Sequence, residues 1–269
     1  MYGLCVGVHR RLALAVGAAV LVWCFSGAVM LGVPYPSLTE SEWFDLAPPL
    51  SVEGCCFDLE RVVLRLERLP GIEQLRLIAV GGRPAAVARY LDGSLDAVWG
   101  DTQAAIAIRD EAQVRSLFET PRGKDLIDEV AVIEDDVWTV HQRFDPHRPL
   151  WKLSLAGEEG LVLYVSSTTG DVVQDTHTSE RRWNLVGAVA HWWYLPWLRR
   201  QWVLWDQALW WVGGLSTLMA LTGVWLSASH LLRHGGKGLF GGSRGLHRLF
   251  GMIGGLAAAC WIASGWLSM

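Results

Sequence analysis

Three stretches of the chain are apolar and nearly free of charge. The first, Leu12–Val33, runs for 22 residues, enough for a helix to cross a hydrocarbon core of about 30 Å. The second covers 203–229 and the third 247–269. Arg10 and Arg11 precede the first stretch, as they would in a signal peptide. The stretch is long for such a segment, however, and no small-x-small cleavage site follows. An uncleaved anchor is the better reading.

Between the first and second stretches the pattern turns amphipathic. Leu59, Val62, Val63, Leu66 and Leu69 recur at helical spacing and predict a helix over 56–69, stopped by Pro70-Gly71. Strands are predicted over 73–80, 83–91 and 94–99, with Gly81-Gly82 and Asp92-Gly93 as hairpin turns. A second helix is predicted over 110–120, then strands over 136–142, 150–156, 160–166 and 171–175. The two halves, about 54–102 and 110–176, each read as a helix followed by antiparallel strands. The expected fold class is therefore a membrane protein with three transmembrane α-helices and an α+β ectodomain over 34–180.

Charge sharpens this picture. Of 27 acidic residues, 26 lie between Glu40 and Arg182 against 15 bases, a net charge of −11 in that segment. No basic face is available for phosphates, which argues against nucleic acid. The loop 230–246 is rich in glycine and base and has no acid. Short basic loops stay in the cytoplasm. The expected topology places residues 1–11 inside, 34–180 outside, 230–246 inside and the C-terminus outside. Eight of the 16 tryptophans fall between Trp183 and Trp211, and 181–202 reads as one amphipathic helix lying at the outer interface.

The first and third stretches repeat each other without a gap. Ser26-Gly27 follows His9-Arg10 at the same offsets as Ser264-Gly265 follows His247-Arg248. The second stretch carries Thr222-Gly223 in the corresponding place. Small-residue pairs allow close helix packing. His9, His247 and His230 are expected at one depth, near the cytoplasmic face. Two imidazoles on facing helices can bind a metal or a haem iron, and ionisable groups at membrane depth are candidates for function. The bland reading has these histidines bonded to lipid phosphate or backbone carbonyls. Arg10 and Arg248 are candidates for pairing with haem propionates. His191, near the outer interface, is a candidate ligand or an interfacial side chain.

The remaining motifs carry little chemistry. Cys5, Cys24 and Cys260 fall in or beside apolar stretches, Cys55 and Cys56 are adjacent, and no CxxC occurs. The run Glu134-Asp135-Asp136 reads as a solvated loop, with calcium binding the weaker alternative. Asp145–Pro149 reads as a rigid turn, and no catalytic motif is present.

Arg148-Pro-Leu-Trp-Lys-Leu-Ser-Leu, followed by Gly160-Leu-Val-Leu-Tyr-Val-Ser-Ser-Thr-Thr-Gly-Asp-Val-Val173, resembles a PepSY domain. The His-Arg…Ser-Gly helices resemble the PepSY-associated transmembrane family. The resemblance implies a bacterial inner-membrane protein with two PepSY-like periplasmic units. Similar proteins include ferric-siderophore reductases that carry b-type haem between transmembrane histidines and take part in iron uptake. Others are cofactor-free modules thought to regulate peptidases. The implied reading is haem b held by His9 and His247 in an electron-transfer protein, with a ferric siderophore or a periplasmic protein as partner. Fuller members have four or more such helices. Three here imply that a second copy or a partner membrane subunit completes the electron path.

Overall fold

The computed structural model describes residues 2–46, 50, 57–68, 70–119, 127–157, 160–236 and 242–267. Cys55, Cys56 and the core of the basic loop lie outside them. The chain divides into two compact units, Val33–Leu185 and the remainder, Met1–Gly32 with Val186–Met269.

The Val33–Leu185 unit contains two small antiparallel sheets, each preceded by a helix. Helix α2 (Glu40–Leu46) opens the unit. Thr39 and Glu42 cap its first turn reciprocally: Thr39 N–H donates to the Glu42 carboxylate at 2.8 Å, and Glu42 N–H donates to Thr39 Oγ1. Helix α3 (Leu59–Leu66) begins at Asp58, whose carboxylate accepts from Arg61 N–H. It precedes β1 (Ile72–Val80), β2 (Arg83–Tyr90) and β3 (Leu95–Trp99), ordered β1-β2-β3. Val80 pairs with Arg83 across Gly81-Gly82, both at positive φ, as a two-residue hairpin of matching twist requires. Strand β2 is buried on both faces. Ala86, Ala88 and Tyr90 meet Val62 and Leu66 of α3, while Ala85 and Val87 face the larger core. Tyr90 Oη donates to the Leu66 carbonyl at 2.6 Å and closes the end of α3.

Helix α4 (Glu111–Glu119) precedes β4 (Ile127–Ile133), β5 (Leu150–Leu155), β6 (Val162–Ser166) and β7 (Val172–Thr176), in that order across the sheet. Leu153, Leu163 and Val165 join Ile78, Val80 and Val87 of the first sheet in one core. At the β6–β7 turn Gly170 has φ +73, and an added Cβ would stand 2.8 Å from Val80 Cγ1. The Thr-Gly turn thus wedges directly against β1.

Here the expected strand over 136–142 is overturned. Asp136 takes up the local backbone donors: its carboxylate accepts from Trp138 N–H at 2.9 Å, and its own N–H donates to Thr139 Oγ1. That side-chain competition makes a turn instead of a ladder, and β4 lies earlier. A 3₁₀ helix, Gln142–His147, follows. Nor is the acid run merely solvated, because Asp136 Oδ2 pairs with Lys152 at 2.8 Å and accepts from Tyr164 Oη at 2.9 Å. The unit's two ends are joined inside it: buried Asn184 donates to the Pro34 carbonyl at 3.0 Å, and Gln174 donates to the Pro36 carbonyl.

In the other unit, α1 (Tyr2–Met30), α8 (Trp202–His234) and α9 (Gly242–Leu267) are each long and apolar enough to cross a membrane. Leu14, Leu21 and Phe25 of α1, Leu218 and Leu221 of α8, and Phe250 and Ile253 of α9 are exposed. So large an apolar exterior needs a nonaqueous surrounding. Helix α8 packs against both α1 and α9.

The single interfacial helix expected over 181–202 is three pieces: α5 (Thr178–Val186), α6 (Ala188–Trp192) and α7 (Pro196–Arg199). Trp193 adopts left-handed φ 53 and ends α6, and Pro196 restarts the chain as the first residue of α7.

Asp175 and His147 of the Val33–Leu185 unit titrate away from their ordinary values within the accessible pH range. Burial raises the Asp175 carboxyl to about 6, and the nearby charges of Glu42 and Glu180 push the same way. Burial lowers His147 to about 4. The raised carboxyl stabilises the fold at low pH, and that contribution is lost as pH rises through about 6. The depressed imidazole acts oppositely, losing stability as pH falls from its ordinary value toward 4. We expect Asp175→Asn to gain on the native chain in unfolding temperature between pH 4 and 7, and His147→Gln to gain on it as pH falls from 6.5 to 4. Parallel pH profiles for variant and native chains would contradict both.

Candidate functional site

Residues of α9 that share one side recur at intervals of three and four: Arg244, His247 and Arg248, Gly251, Gly255, Ala258 and Ile262. This stripe lines a cavity of about 650 Å³ with residues of α1 and α8. His9 of α1 enters the same cavity, and its ring centre lies 6.3 Å from that of His247, with the planes at 47°. Two imidazole nitrogens bonded in line to one first-row metal at about 2.0–2.1 Å leave ring centres roughly 6–6.5 Å apart. The separation of the two rings falls within that range.

The orientation of His9 is fixed from α8. Its Nδ1 lies 3.0 Å from the Met219 carbonyl and 3.3 Å from Thr222 Oγ1. A carbonyl only accepts, so Nδ1 carries the proton and Nε2 is left with its lone pair, the tautomer of a metal-ligating histidine. Gly223 makes this approach possible: a Cβ there would stand 2.8 Å from His9 Cε1. Gly223, Gly251 and Gly255 leave the cavity wall without side chains.

A second histidine repeats the arrangement. His191 of α6 lies against Ser26-Gly27 of α1. Ser26 Oγ donates its one proton to the Val22 carbonyl at 2.6 Å and accepts from His191 Nδ1 at 3.0 Å. An added Cβ at Gly27 would stand 3.4 Å from His191 Cε1. Thr222-Gly223 and Ser26-Gly27 therefore each receive the histidine of a neighbouring helix, beyond serving as packing surfaces. His191 faces a smaller cavity of about 250 Å³ with Trp23, Cys24, Trp261 and Trp266. Val20, Ala258 and Ile262 line both cavities, so the two adjoin along the bundle. No other histidine is among the described residues lining the smaller one.

The structure separates the other candidates. His230 is turned to Arg248, whose Nη1 donates to its Nε2 at 3.1 Å, and its ring lies 4.8 Å from that of His234. It does not line the cavity of His9 and His247, so three imidazoles do not converge. Arg248 lines the cavity, whereas Arg10 is exposed and does not. Arg244 and Tyr2 do so without having been candidates. The spacing of Arg244 three residues before His247 is the signal that points to it. Among the described residues, no group of three or more His, Cys, Asp or Glu side chains gathers to hold a metal.

The two glycine seats differ in tightness. At Gly223 the His9 ring cannot swing away without losing its bond to Met219, whereas the contact at Gly27 is ordinary van der Waals distance. We expect Gly223→Ala to cost about 1–3 kcal/mol and to lower the unfolding temperature of the solubilised protein, with Gly27→Ala close to neutral. Equal shifts for the two would argue against the seat at His9. No protein-family model, no curated protein and no solved structure matches this chain.

Proposed function

We propose that this chain is a PepSY-type bacterial inner-membrane protein that holds one b-type haem between His9 and His247 and takes part in electron transfer to a ferric complex outside the membrane. The observation that carries the reading is the His9–His247 separation of 6.3 Å at a cavity of about 650 Å³. Bound there, a haem supplies one-electron redox chemistry. The chain's residues do the rest. The Met219 carbonyl holds the His9 proton on Nδ1 and makes Nε2 the more basic donor. Arg244 and Arg248 offer charge-assisted bonds to propionate groups, and His230 orients Arg248 from behind. The bare glycine wall accepts a flat group.

Orientation follows from charge. The basic segment 230–246 and the Arg10-Arg11 pair both favour the cytoplasm, which puts the Val33–Leu185 unit on the periplasmic side. His191, with its Nε2 unencumbered by the Ser26 bond, faces the adjoining cavity toward the opposite end of α1 from His9. A second copy or a partner membrane subunit would complete ligation there.

Purified protein is expected to show a Soret band that sharpens and shifts on dithionite reduction. His9→Ala and His247→Ala should each abolish or greatly weaken it, and His230→Ala should keep it. A colourless protein, or an unchanged band in the double variant, would sink the haem reading. A colourless protein whose 34–180 segment captures a periplasmic partner would favour the cofactor-free regulatory module. For topology, single cysteines are introduced in a background lacking the native ones. An impermeant thiol reagent on spheroplasts should label Arg61→Cys and reach Gly236→Cys only after the membrane is opened. The reverse pattern would invert the proposed orientation.

A further inference from the structure

The Val33–Leu185 unit is strongly acidic, yet three of its arginines line a single cleft. This cleft has a volume of about 790 Å³ and lies among α2, the first sheet and the 3₁₀ helix. Arg76 comes from β1, Arg89 from β2 and Arg143 from the 3₁₀ helix. Their surroundings are not alike. Arg76 is held by Asp171 at 2.5 Å, and Asp171 also accepts from Trp43 Nε1 at 2.9 Å. That pair is internally satisfied. Arg143 donates to the neutral Gln174 amide oxygen at 3.1 Å and lies 4.6 Å above the Phe144 ring, so its charge has no counter-ion there. The Arg89 side chain makes no hydrogen bond or ion pair with the described residues. Beside the Arg76–Asp171 pair, two cations and one carboxylate, Glu40, therefore line the cleft, which leaves it net positive in a segment where acids outnumber bases by 11.

The cleft also has an apolar side. Phe44 of α2 is 63% exposed and Leu77 of β1 is 40% exposed, and both line it. A large ring left in water beside uncompensated guanidinium groups is an expensive surface unless something covers it. His147 lines the same cleft, and its Nδ1 is buried without a hydrogen-bond partner. Burial keeps this imidazole neutral at physiological pH, so it offers a hydrogen bond without adding charge. Planar guanidinium groups match carboxylate and phosphate oxygens in bidentate fashion.

We propose that this cleft is a binding site for a small molecule that carries a carboxylate or phosphate group on an apolar or aromatic body, with Arg89 and Arg143 taking the oxyanion and Phe44 and Leu77 covering the body. The assignment stands apart from the haem. It needs no redox chemistry, and its failure would leave the spectrum of the protein unchanged.

The test is calorimetric titration of the full-length protein in zwitterionic-lipid nanodiscs with benzoate and phenyl phosphate, and with benzamide as the neutral match. Saturable one-to-one binding of the two anions is expected, with benzamide at least tenfold weaker. Arg89→Gln and Arg143→Gln are each expected to weaken anion binding tenfold or more, and Phe44→Ala to weaken it while leaving the preference over benzamide intact. All three positions are exposed, and an unchanged unfolding temperature verifies that each variant folds. The titrations are repeated in phosphatidylglycerol nanodiscs. Unchanged affinity there assigns the site to a soluble anion, and competition assigns the same oxyanion pocket to a lipid headgroup. No saturable binding of either anion, equal binding of benzamide, or full binding in the arginine variants would overturn the proposal.

Discussion

The helical unit depends on one hydrogen bond, from His9 Nδ1 to the Met219 carbonyl. Inside an α-helix that carbonyl already serves the N–H four residues on, which belongs to Gly223. Its second lone pair is normally shielded by the side chain at that later position. With glycine there, an imidazole from the next helix reaches the carbonyl. The same contact fixes the tautomer of His9 and ties α1 to α8. Ser26-Gly27 obtains the same result for His191 with a hydroxyl in place of the carbonyl. In apolar surroundings a polar side chain needs a partner, and such bonds contribute about 0.6–2 kcal/mol each. Their larger effect is to leave each imidazole one orientation.

The two units solve different problems. The Val33–Leu185 unit buries apolar faces of two sheets against each other, with β2 packed on both sides. It is stabilised in the usual way, by removing apolar surface from water. The helical unit leaves much of its apolar surface outside and turns its small and polar residues inward. Ser26, Ser216, Thr217 and Ser227 are buried while Leu14, Phe25 and Ile253 are exposed. That inversion is the pattern expected where the surrounding medium, not the interior, is the apolar phase.

Much of this was legible in the residues. Charge-free runs of more than twenty residues announce the three long helices, although α1 and α8 extend beyond the apolar limits because helical bonding does not stop where hydropathy does. Gly81-Gly82 and Asp92-Gly93 mark hairpins because positive φ is required there. Strand β4 was not legible. Its rival segment has the right alternation, but Asp136 and Thr139 satisfy the backbone locally, and that competition appears only once their side chains are placed. The broken segment over 178–199 defeats a periodicity reading for a similar reason, since Trp193 gives no warning of its left-handed turn. At the candidate site, the His-Arg…Ser-Gly repeat singled out His9 and His247, which line one cavity. The role of Thr222-Gly223 was hidden because α8 runs opposite to α1 and α9. An offset counted along the chain then lands at the other end of the bundle, beside His9 instead of beside His191. His230 was expected at the same depth as His9 and His247, but it faces Arg248 and lies outside their cavity, which depth alone cannot reveal.

The bond from Asn184 to the Pro34 carbonyl bears on how α1 finds α6. Ser26 and His191 are 165 positions apart along the chain, and closing a loop of that size in an open chain is slow and entropically costly. Once the Val33–Leu185 unit has folded and joined its own ends, the free path between the two residues shrinks to about fifteen positions, which lowers the closure cost by roughly 2 kcal/mol. The folded insert thereby turns a distant pairing into a near one. For the purposes of assembly, α1 and α6 become neighbours in a short helical hairpin whose connection happens to be a domain.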